Sequence, residues 1–391
     1  MKHYELKEKQ IVMQNPSSLH NYFGWSTVAR LKNGKIAVVA SGFRLGHVCP
    51  FGKAVMALSD DECKSFSPPS PVIDTPLDDR DAGILAYGES SVIVTSFTHT
   101  SAFQEKWCKM REDRAKSEGW NEEKLTALQG ELAYIRAYLR YTEKGNYEKD
   151  FFGSTYRISH DNGVTFGEIF RVPVTSPHGP CATTDGRLLY IGTTKENAEN
   201  PTKIHEVQCW ELDGKGGCTY LSSIPHVPEY KANENLADAE EPHAIALPSG
   251  KIIVHIREQY LGKNPLTDGT KLFRVLQSVS NDGGKSFSVP VPICDEIDCG
   301  APAHILRHSS GVLISAIGHR SPPYSIYLLL SRDDGDSWEL CSLDTDSPSS
   351  DFGYPSTVEL SDGSLYTVWY DHESEDKASP AKIFGGKWRL D

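Results

Sequence analysis

Six segments of this 391-residue chain open at, or within two residues of, an aromatic or ionisable residue, just before a stretch of alternating apolar residues. The fifth of them opens at Pro302, two residues before His304. The residues at and beside these starts are Trp25, Arg80, Asp81, His178, Glu241, His243, His304 and Tyr354. Carboxylates and imidazoles can exchange protons near neutral pH, and a tyrosine hydroxyl becomes a nucleophile when a neighbouring base takes its proton. Such groups are too polar for ordinary strand starts, so their recurrence at one point of a repeat predicts a shared functional site.

Each start leads into a predicted β-hairpin. Two examples are "WSTVARLKNGKIAVVASGF" from Trp25 and "YPSTVELSDGSLYTVWY" from Tyr354. Five of the six turns contain Asn-Gly, Asp-Gly or Ser-Gly, which tolerate the positive φ angles of tight hairpins, whereas the second repeat has Gly-Glu-Ser. Helical periodicity is absent from all six segments, so these units are predicted to be β-structure.

A shorter motif recurs between the hairpins. It reads "SHDNGVTF" at 159–166, "SNDGGKSF" at 280–287 and "SRDDGDSW" at 331–338, with a degenerate copy "SDDECKSF" at 59–66. Its aspartate can accept backbone N–H groups within a tight turn, its glycine allows a positive φ, and its aromatic residue can anchor the turn between neighbouring units. We therefore interpret the motif as architectural and not catalytic.

The spacing of the units predicts their number and arrangement. Consecutive starts are 52 to 63 residues apart, except for one longer interval. Six four-stranded units at this spacing predict an all-β fold, a six-bladed β-propeller that forms one domain over residues 1–391. The N-terminal "YELKEKQIV" is expected to pair with the C-terminal "AKIFGGKWRL", because ring closure by both chain ends leaves few free strand edges.

The longer interval separates Asp81 from His178, which are 97 residues apart. Its excess, residues 103–149, has apolar residues at helical spacing, namely Leu125, Leu128, Leu132, Ile135 and Leu139. Asn121 is a suitable N-cap. We predict a helical insertion within blade 2, which could simply pack on the propeller, cover the pocket as a lid, or form the contact surface of a homo-oligomer.

Composition excludes several classes of partner. The formal net charge of −13 and the scattered basic residues argue against nucleic acid, and no apolar run approaches the roughly 20 residues that span a bilayer. The N-terminus lacks the apolar core of a signal peptide, so a cytoplasmic location is predicted. The nine cysteines fit neither a zinc site nor a disulfide framework, and Cys49 is retained only as a residue that could line the pocket.

The recurrent turn on a six-fold β repeat resembles the sialidase (neuraminidase) superfamily, in which it is called the Asp-box or BNR repeat. The resemblance covers the chain outside the insertion. It implies a pocket on the propeller axis, lined by the innermost strand of each blade. It also implies a tyrosine nucleophile activated by a glutamate, an aspartate acid/base, and three arginines that bind a substrate carboxylate.

Several residues match this pattern. Tyr354, in "GYPSTVELSDG", resembles the nucleophile, and Glu241 resembles its glutamate partner. Arg257, 16 residues after Glu241, matches the second arginine, and Arg320 occupies the equivalent strand end one blade later. Trp25 and Arg80 are expected to line the same pocket and contact substrate.

The match fails at two positions. Where the family has its first arginine, this chain reads "GWSTVARL", and Arg44 at the end of the following strand is a candidate replacement. The family's acid/base aspartate should lie in the next loop, which reads "RLGHVCPFGKAV" and has no carboxylate. Asp81 is our predicted substitute, with Asp79 as a lesser choice and His47 as another proton donor.

Three histidines have no counterpart in the family pattern. His178, His243 and His304 could hydrogen-bond sugar hydroxyls, or one of them could transfer protons. A three-histidine metal site is the less favoured alternative, because the residues come from three different blades. No metal and no cofactor are therefore predicted.

These observations favour an exo-acting glycosidase that hydrolyses a terminal sialic-acid-like or other acidic sugar of a glycan. One alternative is a related propeller enzyme that uses histidine and tyrosine, either an inverting glycosidase or a lyase acting on uronic-acid polysaccharides. The missing first arginine favours this alternative. A second alternative is a carbohydrate-binding propeller without catalysis, against which the set of Glu241, Arg257 and Tyr354 argues.

Overall fold

The structure is a computed structural model. It describes residues 1–194, 205–227, 237–260, 272–294, 296–343, 345–375 and 379–391. Strands within these ranges form six sheets, each mainly antiparallel, arranged as the six blades of a β-propeller. The predicted fold class is confirmed.

The first two strands, β1 (Lys2–Tyr4) and β2 (Lys7–Met13), join the last two blades. Blade 1 contains β3 (Tyr22–Arg30), β4 (Ile36–Arg44), β5 (Lys53–Ser59) and β6 (Ser70–Ile73). Blade 2 contains β7 (Asp78–Tyr87), β8 (Ser91–His99), β9 (Ser154–Ser159) and β10 (Phe170–Val172). Blade 3 contains β11 (Val174–Thr175), β12 (Cys181–Ala182), β13 (Leu188–Thr194), β14 (Val207–Leu212) and β15 (Cys218–Ser223).

Blade 4 contains β16 (Ala237–Ala246), β17 (Ile252–Tyr260), β18 (Phe273–Ser280) and β19 (Val291–Cys294). Blade 5 contains β20 (His304–Arg307), β21 (Leu313–His319), β22 (Ser325–Ser331) and β23 (Glu339–Leu343). Blade 6 contains β24 (Gly353–Glu359), β25 (Leu365–Asp371) and β26 (Lys382–Trp388).

The two chain ends close the ring. Strand β2 pairs antiparallel with β26, with Gln10 opposite Gly385, and thereby supplies the fourth strand of blade 6 as the sequence predicts. Strand β1 adds in parallel to β23, with His3 opposite Ser342. These pairings cover the outer edges of both blades, which would otherwise present unpaired backbone groups.

The repeated aspartate turns follow the third strand of four blades. Asp282 Oδ1 accepts the backbone N–H groups of Lys285 at 3.1 Å and Ser286 at 2.9 Å, and Asp161, Asp333 and Asp61 accept equivalent bonds. The Ser286 hydroxyl and these backbone N–H groups all bond the charged form and lower the pKa of Asp282 to about 2. The side chains thus satisfy backbone groups of their own turns, in line with the architectural interpretation.

The segment between β8 and β9 is helical. It forms α1 (Ser101–Ser117), α2 (Glu122–Gly145) and the short α3 (Glu148–Phe151). The Asn121 side chain caps α2 by accepting the N–H of Lys124 at 3.0 Å. The apolar face of α2 packs on Leu45 and Phe51, in the loop that follows β4, so the insertion lies against blade 1. Within the described ranges, no helix is long and apolar enough to cross a bilayer.

Candidate active site

Four inner strands carry the same backbone irregularity. Trp25, Asp81, Glu241 and Tyr354 have φ angles of 57°, 46°, 53° and 51°, in the left-handed region that non-glycine residues rarely adopt. The pairing of each inner strand with its neighbour shifts register at this point, as in a β-bulge. Bulges re-aim side chains, and repeated strain of this kind marks a functional position.

The four bulge side chains line one cavity of about 260 Å³ at the amino-terminal ends of the inner strands. The sequence-predicted residues His47, Arg80, Arg257 and Arg320 line it too. Other lining residues are Phe97, His99, Thr175, Pro177, Thr193 and Glu240. The structure therefore brings together eight of the predicted site residues.

The centre of the cavity is a chain of three side chains. The Tyr354 hydroxyl donates a hydrogen bond to Oε1 of Glu241, and Arg257 donates from Nη1 to Oε2 of the same carboxylate. Glu240 lies 3.6 Å from Arg257 Nη1. Arg257 and Tyr354 are only 7% and 5% exposed, so these charges interact across a weakly solvated space.

Burial and charge set the protonation of this chain. Burial acts to raise the pKa of Glu241, but Arg257 and the Tyr354 hydroxyl outweigh it and hold that pKa below its ordinary value. Burial and the Glu241 charge raise the pKa of Tyr354 well above 10. At neutral pH an ionised carboxylate therefore accepts a hydrogen bond from a neutral phenol. A phenol in contact with a base in this way can act as a nucleophile.

Arg320 is fixed by neutral partners. Its Nε donates to the carbonyl of Phe352 at 2.8 Å, and its Nη2 donates to the Tyr370 hydroxyl at 2.8 Å. The guanidinium lies 5.6 Å from the centre of the Tyr354 ring. Its charge is therefore positioned in the cavity beside the phenol, and both of these hydrogen-bond partners are uncharged.

The third arginine of the cavity comes from blade 2. The Arg80 guanidinium lies 4.1 Å from the Trp25 ring centre and donates to the carbonyl of His47 at 2.7 Å. Its buried Nε has no hydrogen-bond partner among the described residues. Trp25 stands at the blade 1 position where an arginine is absent, so its ring supports an arginine from the neighbouring blade.

Arg44, the predicted replacement for the missing arginine, is not among the residues that line the cavity. It is fully buried, and its Nη1 and Nη2 bind the two carboxylate oxygens of Asp78 at 2.5 and 3.0 Å. Its guanidinium lies 4.9 Å from the Trp25 ring centre. Arg44 therefore supports the cavity wall from behind, because its charge is satisfied inside the protein.

The candidate proton donors separate in space. Asp81 and His47 line the cavity, whereas Asp79 does not. The Asp79 carboxylate accepts the N–H and hydroxyl of Thr75 at 2.7 and 3.0 Å, and its burial raises its pKa to about 8. Cys49 also lies outside the cavity, where its Sγ accepts the N–H of Leu45 at 3.3 Å. Asp79 and Cys49 are thus structural residues.

Sequence reasoning missed the carboxylate that organises the cavity rim. Asp351 accepts hydrogen bonds from Tyr370 at 2.8 Å and Tyr22 at 3.1 Å, and its oxygens lie 3.1 Å from His47 Nδ1 and 3.2 Å from His372 Nε2. Burial acts to raise its pKa, but His372 and His47 lower it far below its ordinary value. In the sequence, the indication of such a role is that Asp351 lies three residues before Tyr354, the predicted nucleophile.

The three histidines pack against one another. The His178 ring centre is 5.4 Å from that of His243 and 5.1 Å from that of His304, and none of the three lines the cavity of about 260 Å³. His243 follows the bulge residue Glu241 by two residues. His243 and His304 instead line a second cavity of about 610 Å³ at the opposite ends of the inner strands. The ring centre of His178 lies 6.4 Å from that of Tyr354, and the predicted contact of these histidines with substrate stays a prediction.

Hydrogen bonds define the histidine tautomers. His243 Nδ1 accepts the N–H of Ile305 at 3.0 Å, and His304 Nδ1 accepts that of Thr357 at 3.3 Å. Burial holds the pKa of both rings well below 6.5, so at neutral pH each carries its proton on Nε2. An Nε2–H offers no lone pair, so these two rings cannot bind a metal through the nitrogens left free.

Another group of side chains lies close enough together to be considered as a set of metal ligands. Among the described residues, His205, Asp238 and Glu240 place their ligand atoms within 4.8 Å of one another. His205 Nδ1 and an Asp238 oxygen are 2.7 Å apart, which is a hydrogen-bond distance. The pair thus has an explanation that requires no ion.

Searches against protein-family models and against curated proteins gave no match. Solved structures do match. A protein of unknown function from Dyadobacter fermentans aligns at 17% identity with a TM-score of 0.73, covering 100% of both chains. An intramolecular trans-sialidase from Ruminococcus gnavus aligns at 14% identity with a TM-score of 0.63, covering 98% of this chain and 97% of that one.

A further match is the α-L-arabinofuranosidase Arb93A from Fusarium graminearum, at 10% identity with a TM-score of 0.57, covering 98% of each chain. At these identities the likeness concerns the fold alone. The chain has the six-bladed propeller fold that a sialidase and an arabinofuranosidase also have, so the site must be interpreted from its own residues.

Proposed function

We propose that this protein is a retaining exo-glycosidase that removes a terminal sialic-acid-like or other acidic sugar from a glycan. The observation that carries the proposal is the Tyr354 hydroxyl donating to a buried Glu241 carboxylate, which Arg257 holds in place. A phenol is a weak nucleophile until a base in contact takes its proton, and here that base is already positioned.

In the first step, the Tyr354 oxygen attacks the anomeric carbon while its proton passes to Glu241. The bond to the leaving-group oxygen breaks, and that oxygen takes a proton from an acid at the cavity rim. In the second step, water attacks the anomeric carbon and gives its proton to the conjugate base of that acid, while the bond to Tyr354 breaks and the phenol regains its proton from Glu241. A neutral nucleophile suits an acidic sugar, because a carboxylate nucleophile would be repelled by the substrate's own charge.

Three arginines support the choice of an acidic sugar. Arg257, Arg320 and Arg80 all line the cavity of about 260 Å³, and their planar guanidinium groups can bind both oxygens of a carboxylate. Arg80, held on the Trp25 ring, would serve as the first of the three arginines in the family pattern, for which this chain has no residue at the matching position.

Two cavity residues are candidates for the leaving-group proton. Asp81 is at a bulge equivalent to those of Glu241 and Tyr354, and its charge raises the pKa of Tyr354. His47 has Nδ1 against Asp351, which leaves Nε2 for a substrate. Single variants Asp81→Asn and His47→Gln separate them, because loss of the true donor harms substrates with poor leaving groups more than those with good ones.

The proposal is tested by product analysis with the wild-type protein on a panel of acidic glycans. Release of a free nonulosonic acid, with the α-anomer seen first by NMR, supports a retaining sialidase-like reaction. First appearance of the β-anomer, or of an unsaturated uronate, would move the assignment to the inverting or lyase alternative. Binding of the glycans without turnover would make the protein a carbohydrate-binding propeller.

A further inference from the structure

A third cavity runs alongside the helical insertion. Its volume is about 540 Å³, and we call it the insertion groove. Trp107, Arg111, Arg114 and Glu131 of α1 and α2 form one wall. The remaining lining residues are Asn21, Tyr22, Leu45, Gly46, His47, Val48, Ser350, Asp351, Ser379 and Pro380. Side chains of the helical insertion, which is not part of the propeller repeat, therefore border this open space.

The insertion groove adjoins the cavity of about 260 Å³ that contains Tyr354 and Glu241, which we call the catalytic cavity. His47 lines both spaces, and Asp351, which bonds His47, lines the groove. The catalytic cavity has less than half the volume of the groove. A terminal sugar bound beside Tyr354 would thus direct the rest of its glycan past His47.

We propose that the insertion groove binds the leaving-group part of the substrate, namely neutral sugar units of an oligosaccharide. This inference rests on the proposed glycosidase function and names the substrate class: an oligosaccharide that carries an acidic terminal sugar. The glycosidic bond would lie at the junction of the two cavities. At that location His47, which lines both cavities, would lie beside the oxygen that must be protonated.

The chemistry of the helical wall favours neutral sugars. Arg111 binds both oxygens of Glu131 at 2.6 and 2.9 Å, and Arg114 is paired with Glu118 at 2.6 Å. These charges compensate each other, so the wall offers hydrogen-bonding groups without a net field. Trp107 is partly exposed and presents an apolar ring to the same space, as carbohydrate-sized sites commonly do.

The wall is held rigidly against the propeller. Phe51 stacks on Tyr134 of α2 with ring centres 4.8 Å apart, and the Tyr138 hydroxyl donates to the carbonyl of Pro76 at 3.1 Å. Leu132 and Ile135 are buried beneath them. A groove that is already formed costs less ordering on binding, so its contacts can contribute to affinity.

The test compares two substrates that share one acidic sugar, 3′-sialyllactose and methyl α-sialoside. Trp107→Ala should lower kcat/KM for the trisaccharide about tenfold, because it removes an aromatic contact to the lactose part. It should change kcat/KM for the methyl glycoside less than about twofold. Trp107→Phe should restore part of the loss. Met110→Ala, an exposed position on the same helix outside the groove, is the matched control.

Equal losses on both substrates, or no loss on the trisaccharide, would overturn the inference. Lactose alone provides a second measurement that needs no turnover. It should shift the indole N–H resonance of Trp107, assigned by its absence in Trp107→Phe. If lactose shifts this resonance but neither sialoside is hydrolysed, the groove stands as a neutral-sugar site and only the proposed function fails. If lactose leaves it unchanged, the groove proposal fails, whatever the enzyme hydrolyses.

Discussion

Two structural features recur around this propeller. One repeats the same residue, and the other repeats only the backbone conformation. The turns after the third strands keep their side chain: Asp61, Asp161, Asp282 and Asp333 make the same bonds to the same backbone positions. The bulges of the inner strands keep only their backbone. There the residue is Trp25, Asp81, Glu241 or Tyr354, each with a φ angle between 46° and 57°.

The difference follows from what each feature must satisfy. A turn exposes backbone N–H groups that one carboxylate can bind, so the same residue serves every blade. A bulge turns a side chain into the axial cavity, so the four bulge residues reach one space from different directions. Each of these four blades supplies a different group, and this repetition of conformation without repetition of residue marks the cavity as the candidate site.

The largest effect should come from Tyr354→Phe. The change keeps the ring and its packing but removes the nucleophilic oxygen, so kcat on an acidic glycoside should fall by about a thousandfold or more. The melting temperature should stay near that of the wild type. Turnover assays and thermal denaturation measure the two quantities. Retained activity would mean that Tyr354 only packs against the sugar.

The next largest effect is expected from Arg257→Ala. It removes a buried charge that faces the proposed substrate carboxylate, at a cost of about 2–5 kcal/mol in kcat/KM. The loss should be much smaller for a glycoside whose carboxylate has been reduced to the alcohol. An equal loss on both substrates would show that Arg257 acts through Glu241 alone and would contradict carboxylate recognition.

A smaller effect should appear in the pH profile. Because the pKa of Glu241 is lowered, it stays a base as the pH falls, and kcat/KM should decline only below its ordinary value of 4.5. Arg257→Lys keeps a charge but loses the planar fork, so the pKa of Glu241 should rise. The acid limb should then move up by about half a pH unit. A limb that stays in place would mean that another group controls it.

The smallest effect should come from the repeated turns. Asp282→Ala removes the acceptor for two backbone N–H groups, and the free energy of unfolding should fall by about 1–2 kcal/mol. Because the turn lies away from the cavity, kcat/KM should not change. Urea denaturation and the standard activity assay measure both, and a large loss of activity would contradict the distinction between turns and bulges.

The sequence by itself was sufficient for features set by local spacing. Hairpin turns, alternating strands and the period of the units predicted the six blades, and the N-terminal strand was correctly paired with β26. Glu241 and Tyr354 stand out as starts of the repeat, because each lies at the same distance before a recognisable turn. Their roles, and the choice of Arg257, came from the resemblance to the sialidase superfamily.

Only the tertiary structure decided which of the remaining polar residues enter the cavity. Arg80 does and Arg44 does not, because Asp78 satisfies Arg44 inside the protein. His243 and His304 line the other cavity, although His243 stands only two residues after the bulge residue Glu241. Asp351 gained its role from partners up to 329 residues away in sequence. Such choices depend on contacts between blades, which no spacing along the chain records.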